Sequence, residues 1–220
     1  MNLAANPQKL LRTLKSLAGP FPAFSPADSP DDPRVQFVDW METAIAAEIP
    51  EPHAMTLSTV DEHGTPDARV LILKNIDADG WHFAISTASP KGRQIAAHPK
   101  AALTFYWQKL GRQVRIRGTA INLGPAAGTA DFLARPEGSR AAALMERQSD
   151  VLDSPSDLES ALADSWKKLQ ERPDKVAPSW AAYALHAEQV EFWQADTNRR
   201  HTRLRYTRTH DGWSKDCLWP

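Results

Sequence analysis

"RQVRIRGTAINL", residues 112–123, is the stretch that decides the fold. Small or apolar residues alternate along it with polar ones: Val114, Ile116, Gly118 and Ala120 against Gln113, Arg115, Arg117 and Thr119. A period of two is typical of a β-strand with one buried face and one polar face. The pattern therefore favours a β-barrel that has one polar-lined surface.

The residues before this stretch also predict strands. Residues 54–60 alternate, the turn "DEHG" follows, and residues 68–74 form a continuous apolar run. A second turn at 77–80 leads into "WHFAIST". Two successive hairpins predict an antiparallel meander. A short helix over 91–97 and a strand over 101–107 complete this half of the chain.

The rest of the chain adds helices and then returns to strands. Residues 125–171 are rich in alanine and predict three helices, broken near Pro136 and at "DSPSD". The strands predicted after them are "AAYALHAEQVEFWQ", "RLRYTR" and "WSKDCLW". Residues 1–34 form a proline-rich arm that opens with a short predicted helix, and 35–49 have helical spacing. We therefore expect one mainly β domain over 35–220, with helices inserted before its last strands.

Composition limits the class of protein. The 220 residues include 26 basic and 27 acidic side chains, a formal net charge of −1, so a nucleic-acid partner is not expected. The single cysteine, Cys217, excludes an internal disulfide and fits a reducing compartment. No apolar run is long enough to span a membrane and no signal-peptide pattern opens the chain. A cytoplasmic protein without a membrane partner is expected.

The sequence contains no motif for a phosphate-binding loop or for a serine hydrolase. It also contains no zinc-protease motif, and its histidines lack metal-binding spacing, so we predict no metal site. Basic side chains must then hold any bound phosphate. Three clusters offer them: Arg69 with Lys74, Lys91 with Arg93, and the alternating Arg199, His201, Arg203 and Arg205. In a strand the last four would share one face, where like charges repel unless an anion lies beside them. The alternative for each cluster is a solvated charged edge.

Three ordered motifs resemble the pyridoxamine 5′-phosphate oxidase family. They are "AMTLSTVDEHGTPDARVLILKNIDADG" (54–80), "SPKGRQIAAHPKAALTFYWQKLGRQVRIRGTA" (89–120) and "VEFWQADTNRRHTRLRY" (190–206), the last followed by a terminal "LWP". The resemblance implies an antiparallel split β-barrel homodimer with FMN in each of two clefts at the interface. It also implies oxidation of pyridoxamine or pyridoxine 5′-phosphate to pyridoxal 5′-phosphate, with O2 reduced to hydrogen peroxide.

The same resemblance implies roles for individual residues. Contacts to FMN are expected from Arg69, Val70, Leu71, Lys74, Ala84, Ile85, Ser89, Lys91, Gln113, Gln148, Ser149, Trp193 and Arg203. Among these, the other subunit would supply Gln148, Ser149, Trp193 and Arg203. Substrate contacts are expected from Lys74, Asp131, Arg135, Ser139, Arg199 and His201. Arg199 and His201 would be the catalytic pair over the pyridine ring.

Five residues at four sites depart from the family pattern. Ala84 and Ile85 replace a Tyr-Thr pair, Pro90 replaces an arginine, Arg200 replaces a leucine, and Asp131 stands where a tyrosine is usual. Asp131 would repel the substrate phosphate or pair with Arg135; alternatively it would point into solvent.

Other functions stay open at this point. A related flavin oxidase could act on another compound, such as a phenazine precursor, and a non-catalytic flavin or pyridoxal-phosphate carrier could share the same motifs. A nucleic-acid module that uses the arginines is disfavoured by the neutral charge. Turnover with release of hydrogen peroxide separates an oxidase from a carrier.

Overall fold

A computed structural model describes residues 6–220 of the chain. Within them, nine strands form one antiparallel sheet. The strands are β1 (Ala54–Val60), β2 (Pro66–Ile72), β3 (Asn75–Asp77), β4 (Gly80–Ser86), β5 (Lys100–Trp107), β6 (Arg112–Asn122), β7 (Trp180–Gln194), β8 (Thr202–Arg208) and β9 (Trp213–Cys217). The helices are α1 (Pro7–Thr13), α2 (Pro33–Ala46), α3 (Pro90–Ala97), α4 (Pro125–Leu133), α5 (Glu137–Leu144) and α6 (Pro155–Glu171).

The long strand β7 organises the sheet. One edge of β7 pairs with β6; on its other edge the first half pairs with β4 and the second half with β8. The strand order is β2-β1-β5-β6-β7-β4-β3, with β8 and β9 extending from β7. The predicted meander is therefore wrong. The two hairpins β1–β2 and β3–β4 form, but they lie at opposite ends of this order because β5, β6 and β7 lie between them.

Strand β6 has the two faces that its alternation predicts. Val114, Ile116 and Ala120 are buried, whereas Arg115 and Arg117 on the opposite face are exposed. The register against β7 shifts between Arg117 and Gly118. A Cβ atom at position 118 would lie 2.0 Å from the carbonyl oxygen of His186, so this irregularity requires glycine.

Helix α2 closes the core over the sheet. Asp32 caps its first turn by accepting a hydrogen bond from the Arg34 amide, and a proline occupies the first helical position. Phe37 packs edge-on against Phe105 at 4.8 Å between ring centroids, and Trp40 against Phe192 at 5.1 Å. These contacts fix the helix that precedes the sheet onto the inner faces of β5 and β7.

The arm before α2 lies along the same surface. Phe24 packs edge-on against Trp40 at 4.9 Å, and the Tyr206 hydroxyl donates to the Pro30 carbonyl at 2.7 Å. Burial raises the pKa of Tyr206 to about 12. The arm is thus packed against the core at Phe24 and Pro30, whereas α1 at its start has no buried residue. Residues 1–5, at the start of the predicted helix, lie outside the described residues.

The helical insertion forms a second, smaller apolar cluster. Its buried members are Phe132, Ala141, Leu144, Leu169 and Ala177. Helix α4 packs against β7, and α5 packs against α6. Among residues 6–220, no helix is both long and apolar enough to cross a membrane. The insertion therefore places its own surface beside the sheet, where the candidate site lies.

Candidate active site

A cavity of about 630 Å³ lies between the sheet and the helical insertion. Strands β2 and β4 supply one wall, and α5, α6 and the loop that joins them supply the other. Nine predicted site residues line it: Val70, Leu71, Lys74, Ala84, Ile85, Lys91, Arg135, Ser139 and Gln148. Residues from distant parts of the chain, chosen for one predicted site, therefore converge on one cavity.

One end of this cavity is built at the start of α3. The Ser89 hydroxyl caps the helix by accepting from the Gly92 amide at 3.3 Å, and it also accepts from the Lys91 ammonium at 3.1 Å. Lys91 is buried. Its pKa is lowered to about 8, first because burial disfavours the charge and second because Arg69 repels it, although Asp67 opposes the shift.

Arg69 is held rigidly beside this end. Its guanidinium donates to the Leu57 carbonyl at 3.3 Å and to the Gln94 side chain at 3.2 Å, and it pairs with Asp67. A helix N-terminus flanked by a lysine and an arginine favours an anion such as phosphate. The donors at this end therefore fit the phosphate of a nucleotide-like cofactor.

The other end of the cavity holds a second group of charged residues. Lys74, Arg135 and Ser139 line it together with Trp180, and the Arg135 guanidinium lies 3.9 Å above the Trp180 ring. Asp131 accepts a 2.9 Å hydrogen bond from the Trp180 indole and lies 3.8 Å from the Lys74 ammonium. The alternative that Asp131 points into solvent is wrong, because its side chain is only 16% exposed.

A second cavity of about 690 Å³ collects another part of the predicted site. Gln113, Trp193 and Arg199 line it, together with residues 15–19 of the arm. His201 packs against Trp193 with 4.8 Å between ring centroids and the rings tilted by 43°. Its Nδ1 atom accepts from the Asp196 amide at 3.1 Å, so we assign the proton of the neutral ring to Nε2.

Arg199 and His201 do not share a strand face with Arg203 and Arg205, which corrects the sequence prediction. Strand β8 begins only at Thr202. The Asp196 carboxylate accepts from the amides of the residues at 198 and 200, at 2.7 Å and 3.3 Å, and Arg199 has φ of +65°. This local turn delays the strand, because an aspartate side chain competes for backbone donors.

The protein supplies the anions that the strand arginines require. Arg203 donates from Nε to one Glu191 oxygen at 2.9 Å, its Nη2 lies 2.9 Å from the same oxygen, and Arg115 pairs with the other oxygen. Arg205 pairs with Asp216 at 2.9 Å. The anions beside Arg203 and Arg205 are therefore acids of β7 and β9, and a bound anion at the arginine cluster stays a prediction. The role of Arg203 toward a flavin stays a prediction.

One chain brings the predicted residues together in two groups rather than one. Gln148 accepts from the Lys91 ammonium of its own chain at 2.7 Å, contrary to the expectation that it reaches over from the other subunit. Ser149 beside it is exposed, with φ of +73°. The loop after α5 folds back over the cavity, which sequence spacing did not reveal.

Sequence reasoning missed three residues that organise these groups. Trp180 supports Arg135 and Asp131, Gln94 holds Arg69, and Glu191 holds Arg203. Glu191 and Trp193 are two residues apart on β7, so the strand pattern predicts that their side chains lie on the same face. Trp180 carried no such signal, because its partners are brought close only by tertiary packing.

Comparison with known proteins identifies the family. The model described as "Pyridoxamine 5'-phosphate oxidase" matches residues 41–194, and the "Pyridoxine 5'-phosphate oxidase C-terminal dimerisation region" matches residues 180–220. The chain belongs to the pyridoxamine 5′-phosphate oxidase family. Relatives named pyridoxine/pyridoxamine 5′-phosphate oxidase include one from Thermosynechococcus vestitus, 44% identical over 88% of this chain and 92% of its own length. Another, from Ectopseudomonas mendocina, is 42% identical over 89% and 92%.

Two solved structures share the fold. PhzG from Burkholderia lata, determined with tetrahydrophenazine-1-carboxylic acid, matches 92% of this chain and all of its own with a TM-score of 0.85 and 28% identity. An FMN-binding protein related to pyridoxamine 5′-phosphate oxidase, from Nostoc punctiforme, matches 90% with a TM-score of 0.69 and 18% identity. The fold is thus an antiparallel split barrel with inserted helices.

The matched dimerisation region coincides with the end of the sheet. It covers β7, β8 and β9, which carry Trp193, Arg203 and the turn with Arg199 and His201. Members of this oxidase family use a flavin, and the region indicates that the protein is a homodimer. The two-group arrangement on one chain is compatible with sites that two chains complete.

Proposed function

We propose that this protein is an FMN-dependent oxidase that converts pyridoxamine or pyridoxine 5′-phosphate to pyridoxal 5′-phosphate, with O2 reduced to hydrogen peroxide. One observation carries the proposal. A single cavity is lined by Lys91 at one end and by Lys74 and Arg135 at the other, and Arg69 lies close enough to Lys91 to affect its charge. Between them lies an apolar wall, so the cavity fits two phosphorylated ring compounds side by side.

The residues present fit FMN at the Lys91 end. Arg69, Ser89 and Lys91 would hold its phosphate, and Gln148 already contacts the Lys91 ammonium at 2.7 Å. Val70, Leu71, Ala84 and Ile85 would offer backbone and apolar surface to the ring, so the loss of the usual Tyr-Thr side chains need not remove those contacts. When bound, FMN would accept a hydride from the substrate, and O2 would then reoxidise the reduced flavin.

The residues of the other end fit the substrate. Lys74, Arg135 and Ser139 would bind its phosphate. Arg199 would orient the pyridine ring, and His201 would offer the Nε2 proton, since its Nδ1 atom is occupied by the Asp196 amide. Arg199 lines the second cavity of its own chain, and His201 contacts Trp193, which lines the same cavity. We therefore propose that both residues act on the substrate bound by the partner chain. Gln113, Trp193 and Arg203 would complete the FMN site.

A second candidate is oxidation of a ring compound that carries a carboxylate. The observation that favours it is the close match to PhzG, with a TM-score of 0.85. Asp131, 3.8 Å from Lys74, also reduces the positive charge available to a phosphate. Stronger similarity to the relatives named pyridoxine/pyridoxamine 5′-phosphate oxidase, at 40–44% identity, favours the vitamin B6 substrate.

The test is a comparison of substrates with the flavin-loaded protein. Peroxide release should be measured with pyridoxine 5′-phosphate, pyridoxamine 5′-phosphate and a dihydrophenazine carboxylic acid. The proposal expects turnover of the two phosphates, with ammonia also released from the amine. Turnover of the acid alone would favour the second candidate, and turnover of none would leave a flavin carrier. A cytoplasmic location, on the evidence of one cysteine, is part of the proposal.

A further inference from the structure

Trp180 contacts two oppositely charged side chains at the substrate end of the first cavity. Its indole N–H donates to the Asp131 carboxylate at 2.9 Å. Its ring lies beneath the Arg135 guanidinium at 3.9 Å, and its edge meets Phe132 at 6.0 Å between centroids. One aromatic residue therefore fixes both the cation that faces the cavity and the carboxylate behind it.

Asp131 acts from behind the cations. Lys74, Arg135 and Trp180 line the cavity, whereas Asp131 is not among the lining residues. Burial lowers the pKa of Arg135, and the Asp131 charge opposes that shift. The Nη1 atom of Arg135 is buried without a hydrogen-bond partner among the described residues, so this cation still has a donor to offer a ligand.

The charges at this end sum to one positive unit. Lys74 and Arg135 contribute two, and Asp131 removes one. The other charged residues of the lining are Lys91, on α3, and Glu146, Arg147, Asp150 and Asp157, on the helical wall. Of these, Glu146 accepts from the Ser179 amide at 2.9 Å, and Arg147 pairs with Asp150 at 3.7 Å.

We propose that Asp131, held by Trp180, determines head-group specificity by lowering the cavity's preference for a doubly charged phosphate over a singly charged group. The substrate class widens accordingly to ring compounds that carry a singly charged tetrahedral or carboxylate group. Asp131 is the specificity-determining residue and Trp180 is its positioning residue. This inference rests on the proposed function, because it concerns the substrate end of the same cavity.

Two esters of equal shape and different charge test the inference. Pyridoxine 5′-phosphate is a dianion at pH 8, since the second pKa of a phosphate ester is about 6, and pyridoxine 5′-sulfate is a monoanion. Their dissociation constants should be measured by calorimetry on the flavin-loaded protein, beside KM for the phosphate. Asp131→Asn keeps an acceptor for the Trp180 indole and removes only the charge.

Coulomb energy scales with the product of the charges, so the factor by which the phosphate affinity changes should be the square of the factor for the sulfate. We expect Asp131→Asn to tighten the phosphate ester about fourfold and the sulfate ester about twofold, with kcat little changed. Asp164→Asn is the matched control, because Asp164 is an exposed aspartate of α6 that does not line the cavity. It should leave the ratio of the two affinities unchanged.

Trp180→Phe separates positioning from packing. Phenylalanine keeps a ring beneath Arg135 but has no N–H for Asp131, so the carboxylate is free to turn away and phosphate binding should tighten as in Asp131→Asn. The double variant, Trp180→Phe with Asp131→Asn, should bind both esters as Asp131→Asn alone does. Without a charge at position 131, losing the indole N–H that held it has no further effect on binding. A merely structural role of Trp180 would instead weaken both esters, and that result would overturn its assignment.

The outcomes separate the inference from the proposed function. If the wild-type protein binds and turns over neither B6 ester, the proposed function fails and this inference fails with it. If the phosphate is turned over but Asp131→Asn changes both esters equally, weakens the phosphate, or changes neither, only the inference is overturned.

Discussion

At the scale of single residues, the arginine-rich stretch divides into two parts with different surroundings. Arg203 is fixed by Glu191, whereas Arg199 stands exposed in a turn beside the second cavity. The alternation predicted four equivalent side chains on one face. That inference failed because the Asp196 side chain captures two backbone amides, and a local hydrogen bond of this kind overrides a strand pattern.

This division predicts different losses from two substitutions. Arg199→Ala should reduce turnover about ten- to a hundredfold while retaining flavin, because one charge-assisted contact stabilises by about 1.5–3 kcal/mol. His201→Ala should likewise lower turnover and retain flavin, whereas Arg203→Ala should mainly lose flavin. Flavin content and kcat of each purified variant provide the check. An Arg199→Ala protein that lost its flavin but turned over normally after reconstitution would contradict the assignment.

Lys91 predicts how flavin binding depends on pH. Its pKa of about 8 means that the ammonium is largely charged at pH 7 and largely neutral at pH 9. The dissociation constant of FMN should therefore rise above pH 8, by up to about tenfold per pH unit, since neutral lysine no longer attracts phosphate. Fluorescence titration from pH 7 to 9 measures it.

Lys91→Met supplies the control for that titration, because its FMN affinity should be weak and should lack this pH dependence. A wild-type FMN affinity that stays constant from pH 7 to 9 would contradict the lowered pKa.

The folding stability of the flavin-free protein should change in the opposite direction with pH. The unfolded lysine, with a pKa near 10.4, binds more protons than the folded one between pH 8 and 10, so this group's contribution to stability rises with pH there.

At the scale of elements, the junction of β4 and α3 positions the phosphate end. A Cβ atom at Gly92 would lie 2.5 Å from the carbonyl oxygens of both Ser86 and Thr87. Gly92→Ala must therefore push the start of α3 away from the sheet. We expect a loss of about 1–3 kcal/mol in the free energy of unfolding, together with weaker FMN binding, because Ser89 and Lys91 move with the helix.

Gly138→Ala is the matched substitution in a neighbouring helix. The nearest atom to its added methyl group would be 3.9 Å away, on Trp166 of α6. Denaturant unfolding should show this variant unchanged or stabilised by about 0.5–1 kcal/mol. Equal stability of the two alanine variants would mean that the junction is not tightly packed.

Most elements could be predicted from the sequence because their patterns are local. The alternation in β6, the proline and serine that open α3, and the alanine-rich insertion each determine structure within a few residues. The pairing of β4 with β7 could not be predicted. It joins strands about a hundred residues apart, and hairpin signals say nothing about distant partners.

At the scale of the whole molecule, the site residues lie in two groups that one chain does not unite. Lys91 and Arg135 line the first cavity, while Arg199 lines the second. Family resemblance predicted most of these residues, but their division between cavities required the structure. A two-fold dimer uses one surface twice and would create two equivalent composite sites.

Mixed dimers test this arrangement. Lys91→Met and Arg199→Ala proteins should each be nearly inactive. After subunit exchange, half of the dimers are hybrids, and one of the two sites in each hybrid has both wild-type residues. Activity should therefore recover to about a quarter of the wild-type value. No recovery, with exchange verified by mass measurement, would place both residues in a site built by one chain.

The central claim is oxidation of a B6 phosphate at this site, and one anaerobic measurement tests it most directly. The flavin-loaded protein should be mixed with pyridoxine 5′-phosphate in the absence of oxygen and followed by its visible absorption. The account predicts that the flavin colour bleaches, that one pyridoxal 5′-phosphate forms per flavin, and that admitting O2 restores the colour with peroxide. A flavin that stays oxidised with saturating pyridoxine or pyridoxamine 5′-phosphate would contradict the account.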